Sequence, residues 1–259
     1  MKYKYYDEKG EHLHTLDDRP LIGTSTALKV LAKPLTWWAS GLACAELGWL
    51  NSKTNPDNIR LEKADDKLKE ISVMGAKEYL ALLDKAYKAH SVKLKDSAED
   101  GVDLHAELER FVKWSIKGKK TKEKFDDKII PFIKWSEENV DSFIASEAHC
   151  FSEELWTGGI TDCIAKLKNG HLAIIDFKSS KDAYDSQFIQ VAGYALQLEE
   201  NGMWSKNGTV NKKLEGKISE LIIFPFGEKE IKSHIRRDVE ELKDGFRHAV
   251  ALYKLLNIK

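Results

Sequence analysis

Cysteine is scarce in this 259-residue chain, and the three present, Cys44, Cys150 and Cys163, cannot pair evenly. Their spacing matches no zinc ribbon, and they fall short of the four thiolates of an iron–sulfur cluster, so neither is expected. Long apolar runs are missing too: no stretch approaches the roughly 18 residues that cross a bilayer. The opening MKYKYYDEKG has no apolar signal core, so the expected setting is a reducing cytoplasm with no membrane partner. Nor does one sign of charge dominate. With 41 Lys and Arg against 42 Asp and Glu, no global positive field draws the protein onto nucleic acid, and any such contact has to be local. Internal repeats and low-complexity tracts are absent. What remains, 42% hydrophobic and 32% charged residues, is the composition of a globule large enough to bury a core without staples.

Along the chain, residues 1–20 alternate weakly and read as a short hairpin or arm. From Thr24 the apolar spacing turns helical and continues to Trp49, with Pro34 as a break. NSKTNPDN, residues 51–58, is loop by composition. Helical spacing returns over 61–83, 86–95, 98–116 and 126–144, interrupted near Gly75, Asp100-Gly101 and Gly118. The second half changes character: short apolar or alternating runs at 145–152, 159–168 and 171–178 read as strands. A helix over 185–200, strands over 218–226 and 230–235, and a last helix over 239–256 follow. The expected division is an N-terminal arm and helical region, 1–96, before an α/β core, 97–259.

The chemistry concentrates in Gly159-Ile-Thr-Asp162 and Asp176-Phe-Lys178. Residues i and i+2 of a strand share a face, so Asp176 and Lys178 project together. They follow the apolar run Ala173-Ile-Ile, which places them at the end of a buried strand, where charges are costly unless something uses them. A plain strand ion pair is the simpler alternative. Asn169-Gly170 marks the hairpin that joins the two segments. A two-residue turn would pair Lys168 with His171 and send Asp162 and Asp176 to opposite faces. A three-residue loop with Gly170 left-handed pairs Leu167 with His171 and sets Asp162 opposite Asp176, within reach of one cation. Two adjacent carboxylates repel unless one is protonated or a cation lies between them, and oxygen ligation points to Mg²⁺ or Mn²⁺. His105 opens a helix upstream, and Gln190 and Tyr194 stand at i and i+4 on one helix face downstream. Each is commonplace alone.

Taken in order, His, Gly-x-x-Asp, Asp-x-Lys and Gln-x-x-x-Tyr resemble the RecB-type branch of the PD-(D/E)xK nuclease superfamily. That branch includes CRISPR-associated RecB-like nucleases and the mitochondrial genome maintenance exonuclease. Thr24-Ser-Thr-Ala-Leu, running on to Trp37-Trp38, also looks like the N-terminal helical segment of phage-borne members. The resemblance implies a restriction-endonuclease-like α/β fold, a central mixed sheet flanked by helices, with an N-terminal helical region over the active site. It implies His105, Asp162, Asp176 and the Phe177 carbonyl as ligands of Mg²⁺ or Mn²⁺, Glu147 as a weaker ligand candidate, and Asp162, Asp176 and Lys178 as the catalytic set. Gln190 and Tyr194 would bind DNA or orient the site. The function implied is a metal-dependent deoxyribonuclease, an exonuclease on single-stranded or overhanging ends in phage-type replication or recombination. A strand-annealing or replication partner is not named by the sequence, and the setting would be a host cytoplasm if the source is viral. The rivals are an endonuclease with the same site and a binding protein with a spent one.

Lys181, three residues past Lys178, is a phosphate-contact candidate by position. Trp37, Trp38 and Trp49 suit base stacking, but helical spacing favours a place in the core. The basic loop Lys117-Gly-Lys-Lys-Thr-Lys122 reads first as a solvated loop.

Overall fold

The computed structural model describes residues 2–8, 11–32, 35–118, 122–208, 211–227 and 230–257. Pro34 and the middle of the basic loop, Lys119 to Thr121, lie outside the described residues. The chain divides into two compact units, 1–32 with 101–259, and 33–100. The first 32 residues belong to the same unit as the sheet, which no local pattern announces.

In the sheet unit, strands β1 (Tyr3–Glu8), β2 (Glu11–Leu16) and β3 (Arg19–Pro20) form a small antiparallel sheet. After them, β4 (Ile22–Gly23) leads directly into the short helix α1 (Thr24–Ala27). Ala27 and Leu28 then pack with Phe246, Ala249 and Val250, which is why this segment leaves the helices for the core.

The helical unit holds α2 (Thr36–Glu46), α3 (Asp57–Ser72) and the first part of α4 (Ala76–Ile116). Gly75 separates the last two helices as expected, whereas α4 runs unbroken through Asp100-Gly101. Neither α2 nor α3 has a buried residue. Trp37 is 90% exposed, and Trp38 and Trp49 are exposed as well, which overturns their expected place in the core. Helical spacing says which face is apolar, not that another element covers it.

The remaining elements are α5 (Ile130–Asn139), β5 (Val140–Ser152), β6 (Thr157–Leu167), β7 (Leu172–Lys178), α6 (Asp185–Asn201), β8 (Met203–Trp204), β9 (Asn211–Lys212), β10 (Ile218–Pro225), β11 (His234–Arg236) and α7 (Val239–Asn257). The expected helix over 126–144 gives way at Val140 to β5. Val140, Phe143 and Ile144 fit a helical period and also the buried run of a strand, and pairing with β6 decides.

The main sheet is ordered β11-β10-β7-β6-β5-β8-β9, with β4 parallel to the far end of β6. It is mixed, since β7 and β10 are parallel while β5, β6 and β7 alternate in direction. Helices cover both faces. Ile164, Ile174 and Ile223 pack with Val191, Ala195 and Leu198 of α6. Cys163, Ala165, Ile175 and Phe177 pack on the other face with Leu108, Phe111 and Val112 of α4 and Phe132 of α5. Apolar residues on both faces are what a sandwiched sheet requires.

The β6–β7 hairpin has the three-residue loop. Leu167 N–H donates to His171 O at 2.8 Å, Gly170 N–H donates to Leu167 O at 2.9 Å, and Gly170 has φ +88°. The ladder continues from Lys166↔Leu172 to Cys163↔Ile175. Glu220 of β10, 1% exposed, pins this loop by accepting from Asn169 Nδ2 at 3.1 Å and pairing with His171 at 2.7 Å and Arg237 at 3.1 Å. Burial pushes its carboxyl up, but these three partners outweigh burial and hold it below the ordinary value. A depressed folded-state pKa stabilises fully above the ordinary carboxylate range and loses that stabilisation as pH falls through the folded value. Glu220→Gln is therefore expected to cost about 1–3 kcal/mol at pH 7, measured by urea unfolding, with the deficit shrinking as the buffer is made acidic.

Candidate active site

The site begins where β6 leaves β7. Residues 163–166 of β6 pair with β7, residues 157–158 pair with β4, and Asp162 stands in the gap between these two partners. On the register, Asp162 follows Cys163 outward as Asp176 follows Ile175, so the two carboxylates come next to each other where the ladder opens. The opening is held by a side chain: Phe177 N–H donates to Asp162 Oδ2 at 2.8 Å. Meanwhile β7 carries on beside β10, with Asp176 opposite Ile223 and Lys178 opposite Pro225. The charged end of a central strand thus runs on past the point where its ladder with β6 stops, with apolar packing behind it.

Around this opening four side chains converge. His105 Nδ1 of α4 lies 3.6 Å from Asp162 Oδ2, and Lys178 Nζ lies 2.7 Å from Asp176 Oδ2. Asp176 is 3% exposed, and outside the ion pair with Lys178 no described group donates to its Oδ2. Burial raises its pKa first, and the neighbouring Asp162 carboxylate adds to this against the pull of Lys178 and His105, leaving it at about 6. For Lys178, burial lowers the pKa, yet Asp176 and Asp162 outweigh it and the ammonium titrates above its ordinary value. His105 follows the same balance, with burial overcome by Asp162.

The face of α6 completes the site. Lys178 Nζ donates to Gln190 Oε1 at 3.4 Å, and Gln190 Nε2 donates to Tyr194 Oη at 2.7 Å. The expected i, i+4 pair is therefore one link in a line that starts at Asp176. Tyr194 is buried, and burial keeps its phenol protonated. Its ring lies against Gly159: a Cβ there would be 2.5 Å from Tyr194 Cε1 and 2.7 Å from Thr24 Oγ1. That contact is the physical reason for glycine three residues before Asp162. Gly159→Ala is expected to displace Tyr194 and to cost about 1–3 kcal/mol, read by thermal unfolding.

Two expected residues are exposed. Lys181 is exposed on the loop between β7 and α6. Glu147 has the register position opposite Asp162 but is exposed with φ 49°, and its field falls on Tyr5, whose phenol is raised by burial, Asp7 and Glu147. The pleat reverses there. Ala145 and Ala148 both pack toward α6 although three residues apart, as Ile164 and Gly159 do on β6 although five apart. The strands therefore kink together at the site.

Sequence reasoning missed a buried polar group below Tyr194. Gln197 Nε2 donates to Thr24 Oγ1 at 2.8 Å and Thr157 Oγ1 at 2.9 Å, and Cys150 Sγ donates to Gln197 Oε1 at 3.2 Å. The available signal was a glutamine seven residues beyond Gln190 within the apolar run Val191 to Leu198.

The donor set of two carboxylates and an imidazole suits a divalent cation, and Asp176 Oδ2, whose described partner is the Lys178 ammonium alone, is a buried acceptor such an ion would use. Among the described residues no three His, Cys, Asp or Glu side chains are gathered at ligating distance, and Lys178 pairs with the Asp176 carboxylate. No described helix is long and apolar enough to cross a membrane. No family model and no curated protein matches the chain.

Proposed function

We propose that this chain is a divalent-metal-dependent deoxyribonuclease of restriction-endonuclease-like fold, acting on single-stranded or overhanging ends. The observation that carries the reading is the convergence of Asp162, Asp176, Lys178 and His105 at the opening of β6 from β7, with Gln190 and Tyr194 on the facing helix. His105, Asp162, Asp176 and the Phe177 carbonyl would hold the cation, which supplies Lewis-acid polarisation of a phosphoryl oxygen.

The protein's own groups do the rest. Because its neighbours raise its pKa, Lys178 keeps its proton at neutral pH. Its role is then to place positive charge beside the scissile phosphate rather than to act as the base. Gln190 accepts from the ammonium, and Tyr194 fixes the amide of Gln190. Near-zero net charge supports capture of ends by a few local cations over gripping of internal duplex by a broad basic face.

The deciding assay incubates end-labelled single-stranded, duplex and circular DNA with Mg²⁺, Mn²⁺ or EDTA. Metal-dependent shortening of linear strands is expected, with closed circles spared. Equal nicking of circles assigns an endonuclease, and no cleavage under any condition overturns the reading. His105→Ala is expected to weaken Mn²⁺ binding more than Mg²⁺ binding, because imidazole is the softer ligand. Isothermal titration of each ion checks this, and equal losses would remove His105 from the ligand set.

A further inference from the structure

We propose that Thr24 and Gln197 are positioning residues for this site: a buried clamp that holds the Gly158-Gly159 corner of β6 and so aims Asp162 and Tyr194. The inference rests on the nuclease reading for its activity readout, while the clamp itself rests on geometry.

Thr24 comes from a distant part of the chain. Two residues of β4 pair with Thr157 and Gly158, and Thr24 follows them at once. Its hydroxyl donates to Gly158 O at 3.0 Å and accepts from Gln197 Nε2 at 2.8 Å. Gln197 is fully buried, and its remaining contacts go to Thr157 Oγ1 and to Cys150, whose Sγ also lies 3.6 Å from Gly159 O. Every polar atom of the amide is therefore engaged with the β4–β6–β5 junction. A buried amide is a poor choice for stability alone, since an apolar side chain would fill the space without needing three matched partners, and a fully matched polar group fixes one arrangement.

What it fixes lies one step from the chemistry. Gly159 is gripped between the Tyr194 ring and the Thr24 hydroxyl, both inside the distance a Cβ would need. The pleat of β6 reverses between Gly159 and Ile164, so a small rotation at the glycines redirects Asp162. On α6, Gln190, Tyr194 and Gln197 lie at i, i+4 and i+7 on one stripe. One end of that stripe holds Lys178 and the other holds the clamp. Loosening Gln197 therefore disturbs both carboxylate and ammonium, although neither touches it.

The test compares Thr24→Val, Thr24→Ser and Gln197→Met in the full chain, well below each melting temperature. Thr24→Val keeps the shape and removes the hydroxyl, and Thr24→Ser restores it. The expected result is a fall in kcat of about 10–100-fold for Thr24→Val and Gln197→Met, KM for DNA near that of the parent, and activity near the parent's for Thr24→Ser. Hydrogen–deuterium exchange should quicken across 157–162 in Thr24→Val and not in Thr24→Ser. Unchanged kcat in Thr24→Val, or a loss that Thr24→Ser does not restore, overturns the clamp. If Gln197→Met fails to fold, the threonine pair decides. If the parent protein cleaves no DNA, the nuclease reading falls and the exchange measurement decides the clamp alone: faster exchange in Thr24→Val supports it, and equal exchange overturns it.

Discussion

Asp176→Asn is expected to abolish cleavage and, in the same protein, to raise the melting temperature of the metal-free form at neutral pH. Loss of activity follows because the carboxylate is the acceptor a cation would use and the partner that keeps Lys178 charged and in place. A drop of roughly a thousandfold or more in rate is the scale for removing a charge preorganised at the reacting centre. The gain in stability follows from the raised pKa. An Asp that titrates at 3.8 when free and at about 6 in the folded chain holds more protons folded than unfolded between those values. Stability therefore falls as pH rises through that window and stays reduced above it. Asparagine removes this penalty but leaves Lys178 without its partner, so the net gain should be about 1 kcal/mol rather than the full shift. Thermal melts in EDTA at pH 4 and pH 8 separate the two: the variant should gain at pH 8 and lose the advantage at pH 4. A variant that cleaves at the parent rate, or melts lower at pH 8, would remove Asp176 from the centre of the site.

The parts of the site that were legible in the sequence are those set by local geometry. Asn169-Gly170 fixes a loop, the parity of Asp162 and Asp176 selects its length, and four residues of helix bring Gln190 to Tyr194. Structure and sequence agree there because one hairpin and one helix turn suffice. The glycine of Gly-x-x-Asp was legible as a motif but not as physics, since its reason is the Tyr194 ring, 35 residues away in sequence. Pairing across long separations stayed hidden: Ile22 and Gly23 joining β6, and Thr24 meeting Gln197. So did the kink at Glu147, because a left-handed φ at a non-glycine residue leaves no compositional mark. The exposed Trp37 shows the converse limit: an apolar pattern on a helix does not say that another element covers it.

Phe177→Ala should be the most destabilising single change within the Asp-x-Lys segment, at about 3–5 kcal/mol. The ring lies on the opposite face of β7 from Asp176 and Lys178, 2% exposed, edge-on to Phe132 at 4.8 Å and to Phe226 and His105 at 6.2 Å each. Truncation would open a cavity under the sheet that rings on three separate segments cannot all collapse to fill. The backbone of the same residue carries the N–H that holds Asp162, so a shift of the strand to relieve the cavity also moves both carboxylates and His105. Phe177→Leu keeps most of the volume and should cost less than about 1.5 kcal/mol, with activity per folded molecule close to the parent. Urea unfolding with an unchanged m-value checks the stability difference. A cost below about 1 kcal/mol for the alanine variant would show that β7 is anchored by its pairing to β10 and β6 rather than by the aromatic cluster. In that case the fixed distance between Asp176 and Lys178 would owe nothing to the ring between them, and the three consecutive side chains would be independent.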